Sequence, residues 1–463
     1  MNKYKQVGLI LMGAIAGVLL SLNFQAIGQL ATRSPLPVEE LRAFADVFGA
    51  IKSNYVEPVE DKKLITEAIN GMLAGLDPHS AYLDAEAFKE LRVGTQGQFG
   101  GVGIEVGMED GFVKVVSPIE DTPAFRAGVK PGDLIIKLDD TSVKGMTLND
   151  AVKRMRGKPN TQITLTISRK GEAAPIVVTL TRAVIRVQSV KSKVIEPGFG
   201  WVRVSQFQET TVESLVRHVD QLYKQGPMKG LVLDLRNDPG GLLYSAVAVS
   251  AAFLPSKVLV VSTDGRTEDA RKKFYASPED YARGTRDDQL KSLPAAVKSV
   301  PMVVLVNSGS ASASEIVAGA LQDHKRATVM GTQTFGKGSV QTIMPIGNNT
   351  AIKLTTARYY TPSGRSIQAK GITPDVIVEE PGAAQARLRE ADLNRHLGDG
   401  KAGDKPAAKP AAKPAAPADM KPMEFGSKDD FQLQQALAFL KGEPVKSQPA
   451  AVAQTKPATD KSN

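Results

Sequence analysis

Apolar residues at Leu41, Phe44, Val47, Phe48 and Ile51 recur at helical spacing, and a second stripe runs through Leu64, Ile65, Ala68, Ile69, Met72 and Leu73. Residues 34–95 therefore read as a helical region, with Asp77-Pro78-His79-Ser80-Ala81-Tyr82 as a turn. Helices of this kind pack either on a core or on another subunit. From Gly94 the texture changes. Gly and Pro punctuate short β-type runs at 102–106, 112–116, 134–138, 163–168 and 176–180, with one helix at 147–156. Residues 96–183 thus form a small β-rich module. Over 184–380 strands and helices alternate. A buried-type strand at 230–236 leads into Asn237-Asp238-Pro239-Gly240-Gly241 and an apolar helix at 242–253. A second strand at 300–307 leads into Ser308-Gly309-Ser310-Ala311-Ser312-Ala313-Ser314 and a helix through Leu321. Strand, Gly-rich turn, helix, twice over, is an α/β pattern.

The two ends differ from this middle. Lys3 and Lys5 precede an uncharged run at 6–32 whose apolar part is 7–22. A basic n-region before an apolar h-region marks 1–33 as a signal peptide or membrane anchor. Ala26-Ile27-Gly28 offers small residues for a signal peptidase. After Pro381 the composition collapses into Ala, Pro and Lys, so 381–425 reads as a flexible linker. A short helix at 426–442 carries Phe431, Leu433, Leu437 and Leu440, and 443–463 reads as a disordered tail.

Composition narrows the chemistry. The 463 residues predict two or three domains, and 42% hydrophobic content is enough for packed cores. A net charge of +9 is mild for this length, and no Lys/Arg stripe interleaved with aromatics argues for nucleic acid. The chain has no cysteine, which excludes a thiol nucleophile, disulfides and Cys-ligated metal. Its four histidines, His79, His218, His324 and His396, lie far apart without metal-ligand spacing.

Each strand–turn–helix places free backbone N–H groups at a helix N-terminus, where they stabilise developing negative charge. A serine on the second turn would sit beside its own donor, the Ala313 N–H, and Gly240 or Gly241 could supply another from the first turn. These residue types leave Ser308, Ser310, Ser312 and Ser314 as alternatives. A serine nucleophile needs a base. His324 and Asp323 lie at the far end of the helix that follows Ser312, and Asp323 is displaced about 16 Å along its axis. Asp323 therefore reads as structural. Lys337, among Phe335-Gly336-Lys337-Gly338-Ser339-Val340-Gln341, has small and apolar neighbours. Burial there would favour a neutral amine, and Gln341, four residues on, could orient it. A solvent-exposed loop lysine is the other reading.

These segments resemble the carboxyl-terminal processing peptidases, or tail-specific proteases, over roughly 36–380. Residues 306–316 resemble that family's nucleophile segment, and 334–341 its Lys/Gln segment. The separation of 25 positions between the two selects Ser312 and Lys337 as the catalytic pair, with Gln341 third. Asp234-Leu235-Arg236-Asn237-Asp238-Pro239-Gly240-Gly241 resembles the oxyanion-side turn, with Asp238 a small departure from the usual Asn-Pro-Gly-Gly form. The β-rich module is similar to a PDZ domain: Gly100-Gly101-Val102-Gly103-Ile104 resembles its carboxylate loop, and Val129-Lys130-Pro131-Gly132-Asp133 its characteristic turn.

The resemblance implies a multidomain α+β chain: a crotonase/Clp-like α/β protease core, an inserted PDZ domain, an N-terminal helical segment and an Ala/Pro/Lys-rich tail. It implies protein substrates with apolar C-termini, no cofactor or metal, work in the cell envelope with an adaptor lipoprotein, and homo-oligomers made through the N- and C-terminal helices. Two other classes compete. A membrane-associated PDZ scaffold would bind C-termini without cutting them, and a hydratase acting on acyl-CoA would share the crotonase architecture. The complete Ser/Lys/Gln set speaks against the first and the export signal against the second.

Overall fold

The computed structural model describes residues 36–119, 121–282, 288–380, 388–400 and 424–446. The expected signal or anchor, part of the expected linker and most of the tail lie outside these residues. The chain divides into two compact units, 1–71 and 72–463. In the first, the Val38–Asn54 helix buries none of its residues, and Val38, Leu41, Phe44 and Val47 of its apolar stripe are exposed.

In the second unit, a central sheet runs in the order 190–196, 199–204, 230–234, 302–306, 328–331 and 376–377. The first pair is antiparallel and the rest are parallel. Side chains alternate across its strands, so each strand feeds two cores. Leu231, Leu233, Val304, Val306 and Val329 face the helices Thr211–Lys224, Leu243–Phe253 and Ala313–Asp323. Val232, Val303, Leu305 and Met330 face the C-terminal helix Phe431–Leu440. That helix was expected to be an oligomerisation arm. Instead Leu433, Ala436 and Leu437 are buried in its own chain, because the sheet's second face is otherwise bare. Part of the expected linker, residues 388–400, is described and packs into the protein. Within 388–400, Glu390 and Asp399 are buried, and Glu390–Asp392 forms a short 3-10 turn.

A second sheet holds the Ser339–Gly347 and Thr350–Tyr360 hairpin, with Ala81–Leu83, Leu259–Gly265 and Lys272–Tyr275. The β-rich module has its own core around Val113, Val115, Ile135, Leu165 and Ile167. Gln98–Gly101 pairs with Ala183–Arg186 where this module leaves and rejoins the chain. The expected helix at 147–156 is Leu148–Met155, capped by Thr147, which accepts from the Asp150 N–H.

Candidate active site

The Gly230–Asp234 and Met302–Val306 strands are adjacent and parallel, with Asp234 opposite Leu305. Their carboxyl ends therefore deliver both Gly-rich turns to one place, where open α/β sheets bind ligands. The turns are laced together. Asn237 and Asn307 exchange bonds, the Asn237 N–H donating to Asn307 Oδ1 at 2.9 Å and Asn307 Nδ2 to Asn237 Oδ1 at 2.8 Å. Ser310 Oγ donates to the Leu235 carbonyl at 2.8 Å, and Ser314 Oγ to the Asp238 carbonyl at 3.0 Å. Ser310 and Ser314 thus hold the turns, while Ser312 takes a different posture. It sits at the N-terminus of the Ala313–Asp323 helix with φ 54° and ψ −110°. A non-glycine residue in that region stores about 1–3 kcal/mol of strain, which persists only where the surroundings over-determine it.

Glu315 is the surrounding that does so. It is fully buried, and its Oε2 accepts from the Ser312 N–H at 2.8 Å and the Lys337 N–H at 3.0 Å. Its Oε1 accepts from the Gly336 N–H at 2.7 Å and from the Thr334 hydroxyl. One carboxyl therefore clamps the Ser312 turn to the Lys337 loop. Burial pushes it up to about 7, against the pull of those four donors. Ser312-Ala313-Ser314-Glu315 has the spacing of a capping box, and among the four serines only Ser312 has Glu three positions on. That local signal would have singled out both residues.

The oxyanion donors separate as well. The Gly240 N–H is already bonded to Asp238 Oδ1 at 2.8 Å. The Gly241 and Ala313 N–H groups have no acceptor among the described residues. Glycine is required at both positions of the turn. Gly240 has φ 96° and a Cβ there would lie 2.9 Å from Ser312 Cβ, while at Gly241, with φ 147°, it would lie 2.1 Å from the Phe207 carbonyl oxygen.

Lys337 is half-buried. Burial lowers its pKa below the ordinary lysine value, and Lys353 pushes the same way, while Glu390, Glu315 and Asp77 pull against both. Among the described residues no hydrogen bond joins Ser312 Oγ to Lys337 Nζ, nor Gln341 to Lys337. The Gln341 amide donates to Ser339 Oγ at 3.0 Å and Thr355 Oγ1 at 3.3 Å. Asp323 is structural, as its distance along the helix implied: it accepts from the Ser363 N–H at 2.8 Å and pairs with Arg365. His324 bonds to the Leu259 carbonyl. Beside Gln341 opens a groove of about 820 Å³, lined in part by Leu243, Phe274, Val340, Met344, Leu354 and Ala357.

In the β-rich module, Val102 is buried and Gly103 has φ 78°, with its carbonyl accepting from the Ile119 N–H at 2.9 Å. The Val102 and Gly103 N–H groups have no acceptor among the described residues. Gly101 pairs with Ala183, and Ile104 opens the next strand opposite Pro118.

Residues 198–378 match peptidase family S41, residues 100–180 match the PDZ domain, and residues 22–87 match the activating protease CtpB N-terminal domain. A carboxy-terminal-processing protease of Bartonella bacilliformis is 46% identical over 93% of this chain and 95% of its own. The chain belongs to peptidase family S41. It is a serine protease of the carboxy-terminal processing type, with a PDZ domain inserted before an S41 core. Another similar protein is the carboxy-terminal processing protease CtpA of Bacillus subtilis, 37% identical over 76% of this chain and 72% of that one. Among solved structures, a photosystem II D1 C-terminal processing protease is 31% identical over 73% of this chain and 92% of its own, with a TM-score of 0.41. The S41 match spans both Gly-rich turns, Ser312, Lys337 and Gln341.

Proposed function

We propose that this S41 protease is an exported endopeptidase of the cell envelope that captures protein C-termini on its PDZ domain and cuts with a Ser312–Lys337 pair. The observation that carries this reading is the Glu315 clamp. It binds the N–H of the strained serine and the N–H of the half-buried lysine through one oxygen. Neutral Lys337 accepts the Ser312 proton as Oγ attacks the scissile carbonyl. The Ala313 and Gly241 N–H groups hold the resulting oxyanion. The lysine ammonium returns its proton to the leaving amine, and water then hydrolyses the acyl-serine by the same proton path. Gln341, bonded to Ser339 and Thr355, stands on the strand that follows the lysine loop, four residues past Lys337, and orients the amine once substrate is seated. The groove beside Gln341 suits an apolar side chain next to the cut. The free Val102 and Gly103 N–H groups suit a terminal carboxylate, with the peptide added as a strand along Ile104–Glu109. The basic start and apolar run of 1–33 direct the chain through a membrane. An adaptor lipoprotein and self-association through the exposed stripe of Val38–Asn54 complete the proposal.

The lack of a Ser312–Lys337 hydrogen bond among the described residues favours a second reading of the same site, a resting form that closes when a C-terminus is bound. Labelled casein is the first test. Cleavage by the wild-type chain and not by Ser312→Ala supports the protease reading. Cleavage by both removes Ser312 as nucleophile. Cleavage by neither, restored by a peptide with an apolar C-terminus, supports the resting form. Cleavage by neither, with the peptide bound but no product, returns the PDZ scaffold.

A further inference from the structure

The lysine side of the site is supported by parts of the chain that the chemistry above does not use. The Asp77-Pro78-His79-Ser80 turn lies against the hairpin that follows Lys337, because Ala81–Leu83 pairs with the 350–360 strand, Ala81 opposite Lys353. Asp77 is buried. Its Oδ1 accepts from the His79 N–H at 2.8 Å, the Ser80 N–H at 2.9 Å and the Thr355 hydroxyl at 3.1 Å, and its Oδ2 from the Ser80 hydroxyl at 2.7 Å. Thr355 in turn receives the Gln341 amide. A chain of bonds thus runs from the Asp77 carboxylate through Thr355 to Gln341.

A second chain reaches the residue after Lys337. His79 Nε2 lies 2.8 Å and 3.0 Å from the two oxygens of the buried Glu390. Glu390 Oε1 accepts from Gln368 Nε2 at 2.9 Å, and Gln368 Oε1 accepts from the Gly338 N–H at 2.9 Å. Glycine at 338 is obligatory for that contact, since a Cβ there would lie 2.2 Å from the Gln368 nitrogen. The Glu390 N–H also binds the Phe335 carbonyl at 3.0 Å, just before the lysine.

We propose that Asp77 and Glu390 are positioning residues for the base: two buried carboxylates, coupled through the 77–80 turn, that pin Gly338 and Gln341 and set the electric field on the Lys337 amine. This rests on Lys337 acting as the base. The charged groups that face the amine are Lys353 from the 350–360 strand, Glu315 from the nucleophile helix, Glu390 from the 388–400 segment and Asp77 from the turn. Burial and Lys353 push the amine toward its neutral form, and the three carboxylates limit how far that goes. Asp77 remains charged in its place: burial would raise its pKa, but the bonds from Ser80, His79 and Thr355 hold it below the ordinary value.

The sign of the effect follows. A negative charge near a lysine stabilises the ammonium, so removing one makes the amine neutral at lower pH. Glu390→Gln and Asp77→Asn keep most acceptor positions while removing the charge. The experiment measures kcat/KM for labelled casein against pH with the full chain, wild type beside Glu390→Gln, Asp77→Asn, Asp77→Ala and Lys337→Ala, with a thermal midpoint for each. Each charge-removing variant should move the acid limb down by roughly 0.5–1 pH unit, and the double variant further. Asp77→Ala should lose at least tenfold in kcat with KM little changed, and Asp77→Asn should recover most of it. An unmoved acid limb in folded Glu390→Gln and Asp77→Asn, or a shift to higher pH, overturns the inference while leaving the Ser–Lys reading intact. Cleavage retained by Lys337→Ala overturns both.

Discussion

The two halves of the proposed active site, the side of the proposed nucleophile and the side of the proposed base, are built differently. The nucleophile half, residues 237–241 and 307–315, lies at the ends of neighbouring parallel strands and is held mostly by bonds between the two turns. The base half, residues 334–341, takes its supports from several other segments: Thr355, Gln368 and Glu390 downstream, and the 77–80 turn, 278 positions before Thr355. Direct bonds between two adjacent turns suit a group that must keep a strained backbone, because they fix the turn's dihedrals directly. Distant supports suit a group whose protonation matters, because they control burial and charge on every side of it. Glu315 is the exception that belongs to both, and it is where the halves meet.

The sharpest way to break this contrast is to remove the reacting groups. Ser312→Ala and Lys337→Ala should each lower casein kcat/KM by about 10⁴-fold or more, with folded far-ultraviolet dichroism. Lys337→Met should also raise the thermal midpoint at pH 7. The folded lysine holds its proton less tightly than the unfolded one, so the native state is penalised below the ordinary lysine pKa and recovers as pH rises. The advantage of the methionine should therefore shrink toward pH 10. A constant advantage would mean that the amine is not desolvated.

Next in size are the buried charges behind the halves. Arg236, fully buried, forks onto Asp234 and onto Asp430, with bonds of 2.8 Å and 2.7 Å to the latter. Asp430 caps the C-terminal helix, so Asp430→Ala leaves Arg236 with Asp234 and Gln432 but without one of its two buried carboxylates, and loosens the helix that covers one sheet face. Urea unfolding should show a loss of about 3–5 kcal/mol. A loss below 1 kcal/mol would detach that helix from the nucleophile half. Glu315→Ala leaves four donors without their acceptor and should cost about 3 kcal/mol, together with most of the activity. Glu315→Gln should recover part of both.

Gly241→Ala tests the oxyanion assignment. Its Cβ meets the Phe207 carbonyl and pushes the N–H out of place, which should cost up to about 10²–10³-fold in kcat with KM changed less. The smallest expected change is at Asp238. Burial pushes its pKa up to about 8, and its Oδ2 is buried without a partner among the described residues. An acid whose folded pKa is raised loses stability as pH climbs from its ordinary value to about 8. Asp238→Asn should match wild type at pH 4 and be the more stable of the two at pH 9. An equal gap at both would show that the carboxyl does not titrate there.

Much of this was legible in the residues. The two strand–turn–helix units and the β-rich module before them each follow from spacing and glycine placement within windows of a few tens of residues, while the expected export signal lies outside the described residues. Residue type and burial alone left the four serines open and Lys337 undecided, and the family resemblance then chose Ser312 and Lys337. The supports of the base were not legible. Asp77-Pro78-His79-Ser80 reads as an ordinary turn, and nothing within it points to Glu390, 311 positions beyond His79. The 388–400 segment was mistaken for linker because it borders the Ala/Pro/Lys tract, although it carries Glu390 and Asp399 into the interior.

By itself the sequence determined what each stretch could do locally. Glycines allow the backbone to turn with positive φ, Ser-x-x-Glu can close a helix start, and alternating apolar residues make strands with two covered faces. Only the tertiary structure decided that Gly241 rather than Gly240 keeps a free N–H, that Lys337 is desolvated, and that the C-terminal helix covers its own sheet. Backbone preference is a property of neighbours in the chain. Desolvation and electric field are sums over everything packed around an atom, and those neighbours arrive from anywhere in 463 residues.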